Sequence, residues 1–361
     1  MPQSCLILSD RLLACRFLLC NPNARNHILT VQHAYHIMHH NTGVVIPVYF
    51  PKEIDRTQGE ALLRDTVLAY CTHIHNPANI CLSVDGAIHG EKEVSKLAQE
   101  LGVSTAISPT NRGKLSGAQQ GALHLLKNSD IQYIAIVDQD GDHFANELLN
   151  FIRTAVHIQL DRVLVLGNRL SRHLPMGFAR GDLEELADRV LLDALTYHAT
   201  QTNTPLRLEY ANLLGEFPDF HSGYKVFSRA SAQDVFLSEP ELANCSETSY
   251  YRHACEAVMV VKCLTQKGYL GVVNRRTFNE QPITTFGLYN RQQLIADKII
   301  WPCKYFNIPP HFVKQWLDNH IPRLLLGTLV PEGKEELVGI RRIVMEAFDA
   351  ENEDGLTPLF V

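Results

Sequence analysis

The regular alternation of short apolar runs and longer amphipathic segments constrains the fold of this chain most. Five runs rich in Val and Ile are separated by helical patterns: "GVVIPVYF", "NICLSVDG", "VSTAISPT", "IQYIAIVD" and "RVLVLGN". Strands that alternate with helices in this way are typical of a mostly parallel sheet covered on both faces. We therefore predict an α/β, doubly wound fold that binds its ligands at the carboxyl ends of the strands.

The alternation weakens after Gly167. A long helix is predicted from Asp182 to about Gln201, followed by an irregular segment, a second helix near 248–267 and the short strand "GYLGVVN". Prolines punctuate a mainly helical pattern from Tyr289 onward. The sequence thus predicts three regions: a helical N-terminal extension at 1–41, a main domain at 42–285 and a mainly helical C-terminal region at 286–361.

Charge and cysteine usage narrow the function classes. A net charge of −6 without any basic tract argues against nucleic-acid binding. Nine cysteines, an odd number with no C-x-x-C pair, favour reduced thiols in a cytoplasmic protein. No segment reaches the roughly 18 uninterrupted apolar residues of a membrane span, so no integral membrane segment is predicted. The sequence leaves homo-oligomerisation open.

Four histidines lie close together in the N-terminal segment "VQHAYHIMHHNTG". Helical spacing places three of the imidazoles on roughly one face. No carboxylate or Cys accompanies them, so we interpret this segment as a solvated or partner-facing helix, with metal binding as the alternative.

Three acids follow one apolar run in "IAIVDQDGDH", at Asp138, Asp140 and Asp142. Concentrated negative charge at a strand end is unfavourable unless solvent or a cation offsets it. Carboxylate oxygens are the ligands that Mg²⁺ and Mn²⁺ prefer. The segment therefore indicates either a metal site or a solvated Asp/Gly turn.

The usual phosphate-binding loops are missing. No G-x-G-x-x-G follows the first strand, and no G-x-x-x-x-G-K-[ST] occurs in the sequence. A dehydrogenase or a P-loop enzyme is therefore disfavoured.

Six segments follow one another in an informative order: "VVIPVYF" (44–50), "CLSVDGA" (81–87), "NRGKLSGAQQGA" (111–122), "VDQD" (137–140), "VLVLGNRLSR" (163–172) and "DFHSGYKVFSR" (219–229). Together they resemble the GT-A fold of nucleotide-sugar glycosyltransferases, most closely family 2 and its polyprenyl-phosphate sugar transferase relatives. "VDQD" is similar to the D-x-D motif of that family. The resemblance covers roughly residues 43–280.

The resemblance implies a glycosyltransferase that uses Mg²⁺ or Mn²⁺ and a nucleotide diphosphate sugar donor. Asp140 would coordinate the metal, and Asp138 would contact the ion or the ribose. Asp142 lies outside the family pattern. The cation would neutralise charge on the diphosphate leaving group.

The resemblance also implies a nucleotide site. Asp85 would accept a hydrogen bond from uracil or guanine. Tyr49 is the candidate for stacking on the base, although "YFPKE" departs from the usual Y-N pair. Lys114 follows a glycine in a loop that opens a helix, where cations and free N–H groups favour phosphate. The other implied donor-binding residues are Pro47, Val48, Asn111, Gly113 and Arg169.

The acceptor side is less defined. An inverting transferase that acts on a hydroxyl needs a base, whereas an anionic phosphate acceptor does not. Asp219, Glu247 and Glu256 are the candidate catalytic carboxylates, each with a cap or helix-surface role as the alternative. Without membrane anchors, a small polar acceptor such as a glycerate, a phosphoglycerate or a sugar is favoured over the lipid acceptors of the polyprenyl-phosphate branch; a glycan stays open.

Two other functions compete with this hypothesis. A sugar-phosphate nucleotidyltransferase has a similar sheet and acidic metal site, but "VVIPVYFPKE" lacks its Gly- and Arg-rich pyrophosphate loop. A non-catalytic nucleotide-sugar binding protein is the second alternative. Nucleotide release with and without Mn²⁺ separates these functions.

Overall fold

A computed structural model describes residues 31–52, 55–173, 177–211, 217–277 and 290–349. The strands are β1 (Thr42–Val48), β2 (Ile80–Asp85), β3 (Ser104–Ser108), β4 (Tyr133–Ile136), β5 (Val163–Arg169), β6 (Arg207–Tyr210), β7 (Lys225–Ser228) and β8 (Tyr269–Arg275). The helices are α1 (Val31–Asn41), α2 (Arg56–Cys71), α3 (Glu91–Leu101), α4 (Lys114–Leu125), α5 (Leu148–Ile158), α6 (Phe178–Thr202), α7 (Arg229–Phe236), α8 (Cys255–Thr265), α9 (Arg291–Tyr305), α10 (Pro310–His320), α11 (Leu326–Leu329) and α12 (Gly333–Glu346). Short 3₁₀ turns cover Pro77–Asn79, Ala87–His89, Ala145–Glu147 and Ile321–Arg323, and a π-helical turn covers Ser249–His253.

The eight strands form one sheet in the order β3-β2-β1-β4-β7-β5-β8-β6. Every neighbouring pair is parallel except the two that involve β7, which runs antiparallel to β4 and β5. The predicted α/β fold with a mostly parallel sheet is thus confirmed.

Alternating side chains of the strands pack into two separate hydrophobic cores. On β1, Val45 packs into one core, together with residues of α4, α6 and α8. Val44 and Ile46 pack into the other core, with residues of α2 and α5. Because successive side chains of a strand point to opposite faces, a strand that is apolar at every position can bury both faces. Helices therefore cover both faces of the sheet, as predicted.

The antiparallel strand β7 was not predicted, nor was the short strand β6. Both lie in the segment that the sequence indicated as irregular. Ile136, the last residue of β4, is paired with Lys225, the first residue of β7. The loop that precedes β7 therefore lies at the end of the sheet where β4, which runs in the opposite direction, ends.

Helices also flank the sheet at both ends of the described chain. Helix α1 packs on α5, and α9 packs on α6 and α12. The predicted boundary at 285/286 and most of the predicted N-terminal extension lie outside the described residues; the three-region division stays a prediction. None of the helices in the described ranges is long and apolar enough to cross a bilayer.

Candidate functional site

One cavity opens at the carboxyl ends of β1, β2, β4 and β5. It is lined by eleven of the residues that the sequence indicated as site residues: Pro47, Val48, Tyr49, Asp85, Asn111, Gly113, Lys114, Asp138, Asp140, Arg169 and Glu256. Asp219 and Glu247 are not among the lining residues. The parallel strands bring these side chains together because their carboxyl ends lie at the same end of the sheet.

Asp85 ends β2 and is only 5% exposed. Its Oδ2 accepts a hydrogen bond from the backbone N–H of Gly113 at 2.5 Å. Its Oδ1 is buried and has no hydrogen-bond partner in the described part of the chain. A buried carboxylate oxygen without a donor is costly, so this atom fits a ligand that brings an N–H group.

The loop before α4 requires glycine at position 113. Gly113 has φ of +138°, and a Cβ there would lie 2.5 Å from the backbone oxygen of Tyr251. Nearby, Arg252 Nη2 donates to Asn111 Oδ1 at 2.6 Å. The π-helical turn thus fixes the loop that holds Asp85.

Lys114, the first residue of α4, lies between two carboxylates. Its Nζ is 2.7 Å from Asp138 Oδ1 and 3.0 Å from Glu256 Oε1. Burial alone would lower the pKa of Lys114, but the charges of Asp138 and Glu256 raise it well above its usual value. The ammonium group therefore stays charged at the acidic end of the cavity.

Asp138 and Asp140 differ in their electrostatic surroundings. Burial alone would raise the pKa of Asp138, but the charge of Lys114 holds it well below its usual range. Burial, followed by repulsion from Asp138, raises the pKa of Asp140 to about 7. Two neighbouring carboxylates, of which Asp140 has no ion-pair partner among the described residues, suit a divalent ion.

The two acids do not form a complete protein metal site. Among the described residues, no group of three or more His, Cys, Asp and Glu side chains is arranged to hold a metal ion. Mg²⁺ is usually bound by one or two carboxylates together with substrate phosphates and water. The donor set of Asp138 and Asp140 fits that type of site.

Asp142 and His143 make buried contacts that hold the segment carrying Asp138 and Asp140. The Oδ2 of Asp142 lies 3.5 Å from Arg275 Nη1, and both side chains are buried. His143 Nδ1 accepts the backbone N–H of Asp138 at 2.9 Å. Burial lowers the pKa of His143 well below its usual value, so the ring is a neutral acceptor. These contacts indicate that Asp142 has a structural role.

Gln139, between the two acids, ties this loop to the end of β1. Its Nε2 donates to the backbone oxygen of Tyr49 at 2.7 Å, and its Oε1 accepts from the Tyr49 N–H at 3.0 Å. The Tyr49 ring packs on His89, with 4.6 Å between ring centroids. The predicted stacking residue therefore lies at the cavity wall.

Asp219 holds an arginine of the cavity wall. It is fully buried, and its two oxygens accept from Arg169 Nε and Nη2, both at 2.6 Å. Burial alone would raise the pKa of Asp219, but Arg169 holds it well below its usual range. A carboxylate that is bound in this way is a poor proton acceptor, which argues against the predicted catalytic role.

The other two predicted carboxylates lie in different surroundings. Glu247 is 58% exposed outside the cavity and pairs with Arg112 at 2.7 Å. Glu256 faces the cavity, where the surrounding lysines, Lys114 first, outweigh burial and lower its pKa to about 2. Glu256 is therefore an ionised partner of Lys114.

Several lining residues were not indicated by the sequence: His143, Arg180, Glu184, His221, Gly223, Arg252, Arg275 and Lys298. Glu184 on α6 and Lys298 on α9 lie 3.5 Å apart, although 114 positions separate them. A buried charge within an apolar helical stretch was the available signal, since such charges need a partner. The spacing itself carried no information about the pairing.

Comparisons with known proteins add no functional assignment. No family model matches the sequence, and no curated protein matches it. Glucosyl-3-phosphoglycerate synthase from Mycobacterium tuberculosis, in complex with phosphoglyceric acid, is similar over 77% of this chain and 85% of that chain, with 14% identity and a TM-score of 0.48. TarS of S. aureus is similar over 85% of this chain and 89% of that chain, with 12% identity and a TM-score of 0.40. These TM-scores lie below 0.5.

Proposed function

We propose that this protein is a glycosyltransferase with a GT-A type fold that moves a sugar from a nucleotide diphosphate sugar to a small polar acceptor. The observation that carries the proposal is the meeting of Asp85, Lys114 and the Asp138/Asp140 pair in one cavity. These residues supply a base acceptor, a cation and a metal-binding pair at neighbouring strand ends. The proposed transfer reaction does not involve a nucleic acid.

The nucleoside would bind at the end of β2. The unpartnered Oδ1 of Asp85 accepts an N–H group, as the imide of uracil or the N1–H of guanine supplies. Tyr49 lines the same cavity. The glycine at 113 lets the backbone approach closely enough for Asp85 to stay fixed.

The diphosphate would lie over the start of α4. Lys114 and the N-terminal end of this helix both favour negative charge there. Asp138 and Asp140 would hold Mg²⁺ or Mn²⁺ together with diphosphate oxygens, and the bound ion neutralises charge on the leaving group. Lys114 adds a fixed positive charge beside Asp138.

The acceptor would enter from the other side of the cavity, along Arg169, Glu184 and Lys298. These side chains are charged and mutually paired: Arg169 Nη2 lies 2.8 Å from Glu184 Oε2. A wall of paired charges offers both donors and acceptors to hydroxyl groups. It therefore suits a small polar acceptor better than a lipid.

A product assay tests the proposal. The protein is incubated with UDP-sugars and GDP-sugars and a panel of small polar acceptors, with Mn²⁺ or with chelator, and the released nucleoside diphosphate is measured. We expect Mn²⁺-dependent release that one acceptor stimulates, and a loss of this release in Asp140→Asn. The exposed Asp65→Asn on α2 is the matched control and should behave as wild type. Release of pyrophosphate from a nucleoside triphosphate and a sugar phosphate, without nucleoside diphosphate release, would instead indicate a nucleotidyltransferase.

A further inference from the structure

His221 is a buried histidine that faces the same cavity and that the donor site does not use. It lies in the loop before β7, is 4% exposed and lines the cavity. Two residues further on, a Cβ at Gly223 would lie 2.7 Å from Asp138 Oδ2, so this loop passes beside the acidic pair. Towards its start, Asp219 holds Arg169 on the acceptor side. His221 thus lies between the donor and acceptor sides.

Asp188 on α6 fixes the orientation of this imidazole. Its Oδ1 lies 2.7 Å from His221 Nδ1 and also accepts the His221 backbone N–H at 3.1 Å. Asp188 is completely buried, and its other oxygen lies 3.4 Å from Arg172 Nη2. Since an ionised carboxylate only accepts hydrogen bonds, the hydrogen of this contact lies on Nδ1, and in the neutral imidazole the lone pair then lies on Nε2.

The Nε2 atom of His221 is buried and makes no hydrogen bond within the described ranges. Buried polar atoms are nearly always hydrogen-bonded, and His221 lines the cavity, so a bound ligand can supply a partner for Nε2. A histidine that a carboxylate holds on one nitrogen, and whose other nitrogen lacks a partner beside a ligand cavity, has the arrangement of a general base.

Two of the carboxylates that the sequence indicated as candidate bases, Asp219 and Glu256, are less suited to this role. Asp219 is bound through both oxygens by Arg169, and Glu256 is paired with Lys114. Both carboxylates are stabilised in the ionised form by these cations, which weakens them as proton acceptors. Among the described residues, no cation forms a hydrogen bond with Nε2 of His221.

Resting on the proposed transferase function, we propose that His221 is the catalytic base for the acceptor hydroxyl and that Asp188 is its positioning residue. The acceptor O–H bond breaks, and its proton moves to His221 Nε2. The acceptor oxygen forms a bond to the anomeric carbon. The bond from that carbon to the diphosphate breaks, and its electron pair leaves with the nucleoside diphosphate. The proton on Nε2 is later released to solvent.

The substitution His221→Asn tests this role. The Asn amide can still donate to Asp188 from the position of Nδ1, but it has no atom in the place of Nε2. We expect acceptor-dependent transfer to fall by about 10²- to 10⁴-fold, while Mn²⁺-dependent binding of the nucleoside diphosphate stays within about twofold of wild type. The exposed His157→Asn on α5 is the matched control and should leave transfer unchanged.

Two further variants keep the test decisive if His221→Asn lowers stability. In His221→Gly, added imidazole should restore part of the lost transfer rate, which a purely structural role does not predict. Asp188→Asn should lower kcat while the KM for the donor stays near wild type, because the ring then adopts the wrong tautomer.

The outcomes separate this inference from the proposed function. If wild type transfers sugar and His221→Asn transfers it equally well, the base assignment is overturned and the transferase stands. If His221→Asn loses nucleotide affinity instead of transfer, His221 is a donor-binding residue, which also overturns the assignment. If wild type releases no nucleoside diphosphate from any nucleotide sugar, the proposed function itself has failed.

Discussion

Lys114 donates to Asp138 across 2.7 Å, and this ion pair joins the start of α4 to the segment that follows β4. The same ammonium reaches Glu256 on α8 at 3.0 Å. One cation thus balances two carboxylates from different parts of the chain. The arrangement couples the stability of the fold to the charge state of the cavity.

Glu256 should make the free energy of unfolding depend on pH. Its pKa falls from 4.5 to about 2 on folding, chiefly because Lys114 outweighs burial. A carboxyl with a depressed folded pKa stabilises the fold above its unfolded pKa and loses that contribution as pH falls. Urea unfolding of wild type and Glu256→Gln should differ by on the order of 3 kcal/mol above pH 4.5, and the difference should shrink towards pH 2.

The exposed Glu247→Gln is the control for this pH effect, since Glu247 is 58% exposed. Its unfolding curve should follow wild type over the same pH range. A constant difference between wild type and Glu256→Gln at every pH would show that the Lys114 pair does not set the charge of Glu256.

Asp85→Asn should weaken nucleotide binding without unfolding the protein. The Asn oxygen can still accept the Gly113 N–H, while the NH₂ group replaces the unpartnered Oδ1 and faces the N–H of the base. Two donors then oppose each other, so we expect a loss of roughly 10- to 100-fold in affinity, about 1.4 to 2.8 kcal/mol. Calorimetry with UDP and GDP in Mn²⁺ measures it. An unchanged affinity for both nucleotides would remove Asp85 from the base site.

Gly113→Ala should destabilise the loop that holds Asp85. The added Cβ would lie 2.5 Å from the Tyr251 oxygen, at φ of +138°. Gly102→Ala is the matched control because Gly102 also has positive φ, +72°, but its nearest neighbour is 3.9 Å away. The control should lose about 1 to 2 kcal/mol of stability. Gly113→Ala should lose more stability than this control and should also lose nucleotide affinity. If both variants changed the melting temperature and the nucleotide affinity equally, this role for Gly113 would be contradicted.

Strand β1 and the helix that follows it were predictable because their sequence signals are local. Val44 to Val48 form an apolar run of strand length, and the helix that follows has its own amphipathic pattern. The acids after β4 were equally visible, since a run of Asp directly after a buried strand needs only a short window. Element types therefore followed from the sequence in this half of the sheet.

Strand β7 and the His221 pair could not be predicted in the same way. Four residues, "KVFS", give no periodic pattern, and their antiparallel direction depends on pairing with both β4 and β5. His221 lay within a segment that resembled a family motif, but its orientation depends on Asp188, 33 positions away. Such long-range pairings are decided by tertiary packing rather than by local preference.

Replacement of Asp140 should separate a metal site from a structural turn. Burial and the neighbouring Asp138 raise the pKa of Asp140 to about 7, so its ionised form is unfavourable in the metal-free protein. Asp140→Asn removes this charge and should leave the metal-free melting temperature unchanged or higher. Donor turnover should fall by at least ~100-fold, a loss of about 2.7 kcal/mol of transition-state stabilisation.

Calorimetric titration of nucleoside diphosphates into wild type and Asp140→Asn, with Mn²⁺ and with chelator, tests the acidic pair most directly. Wild type should bind UDP or GDP at least ~10-fold more tightly with Mn²⁺ than with chelator, a difference of about 1.4 kcal/mol. In Asp140→Asn this difference between Mn²⁺ and chelator should disappear, while Asp65→Asn should keep it. Equal affinity of wild type in Mn²⁺ and in chelator would contradict a metal-dependent donor site at Asp138 and Asp140.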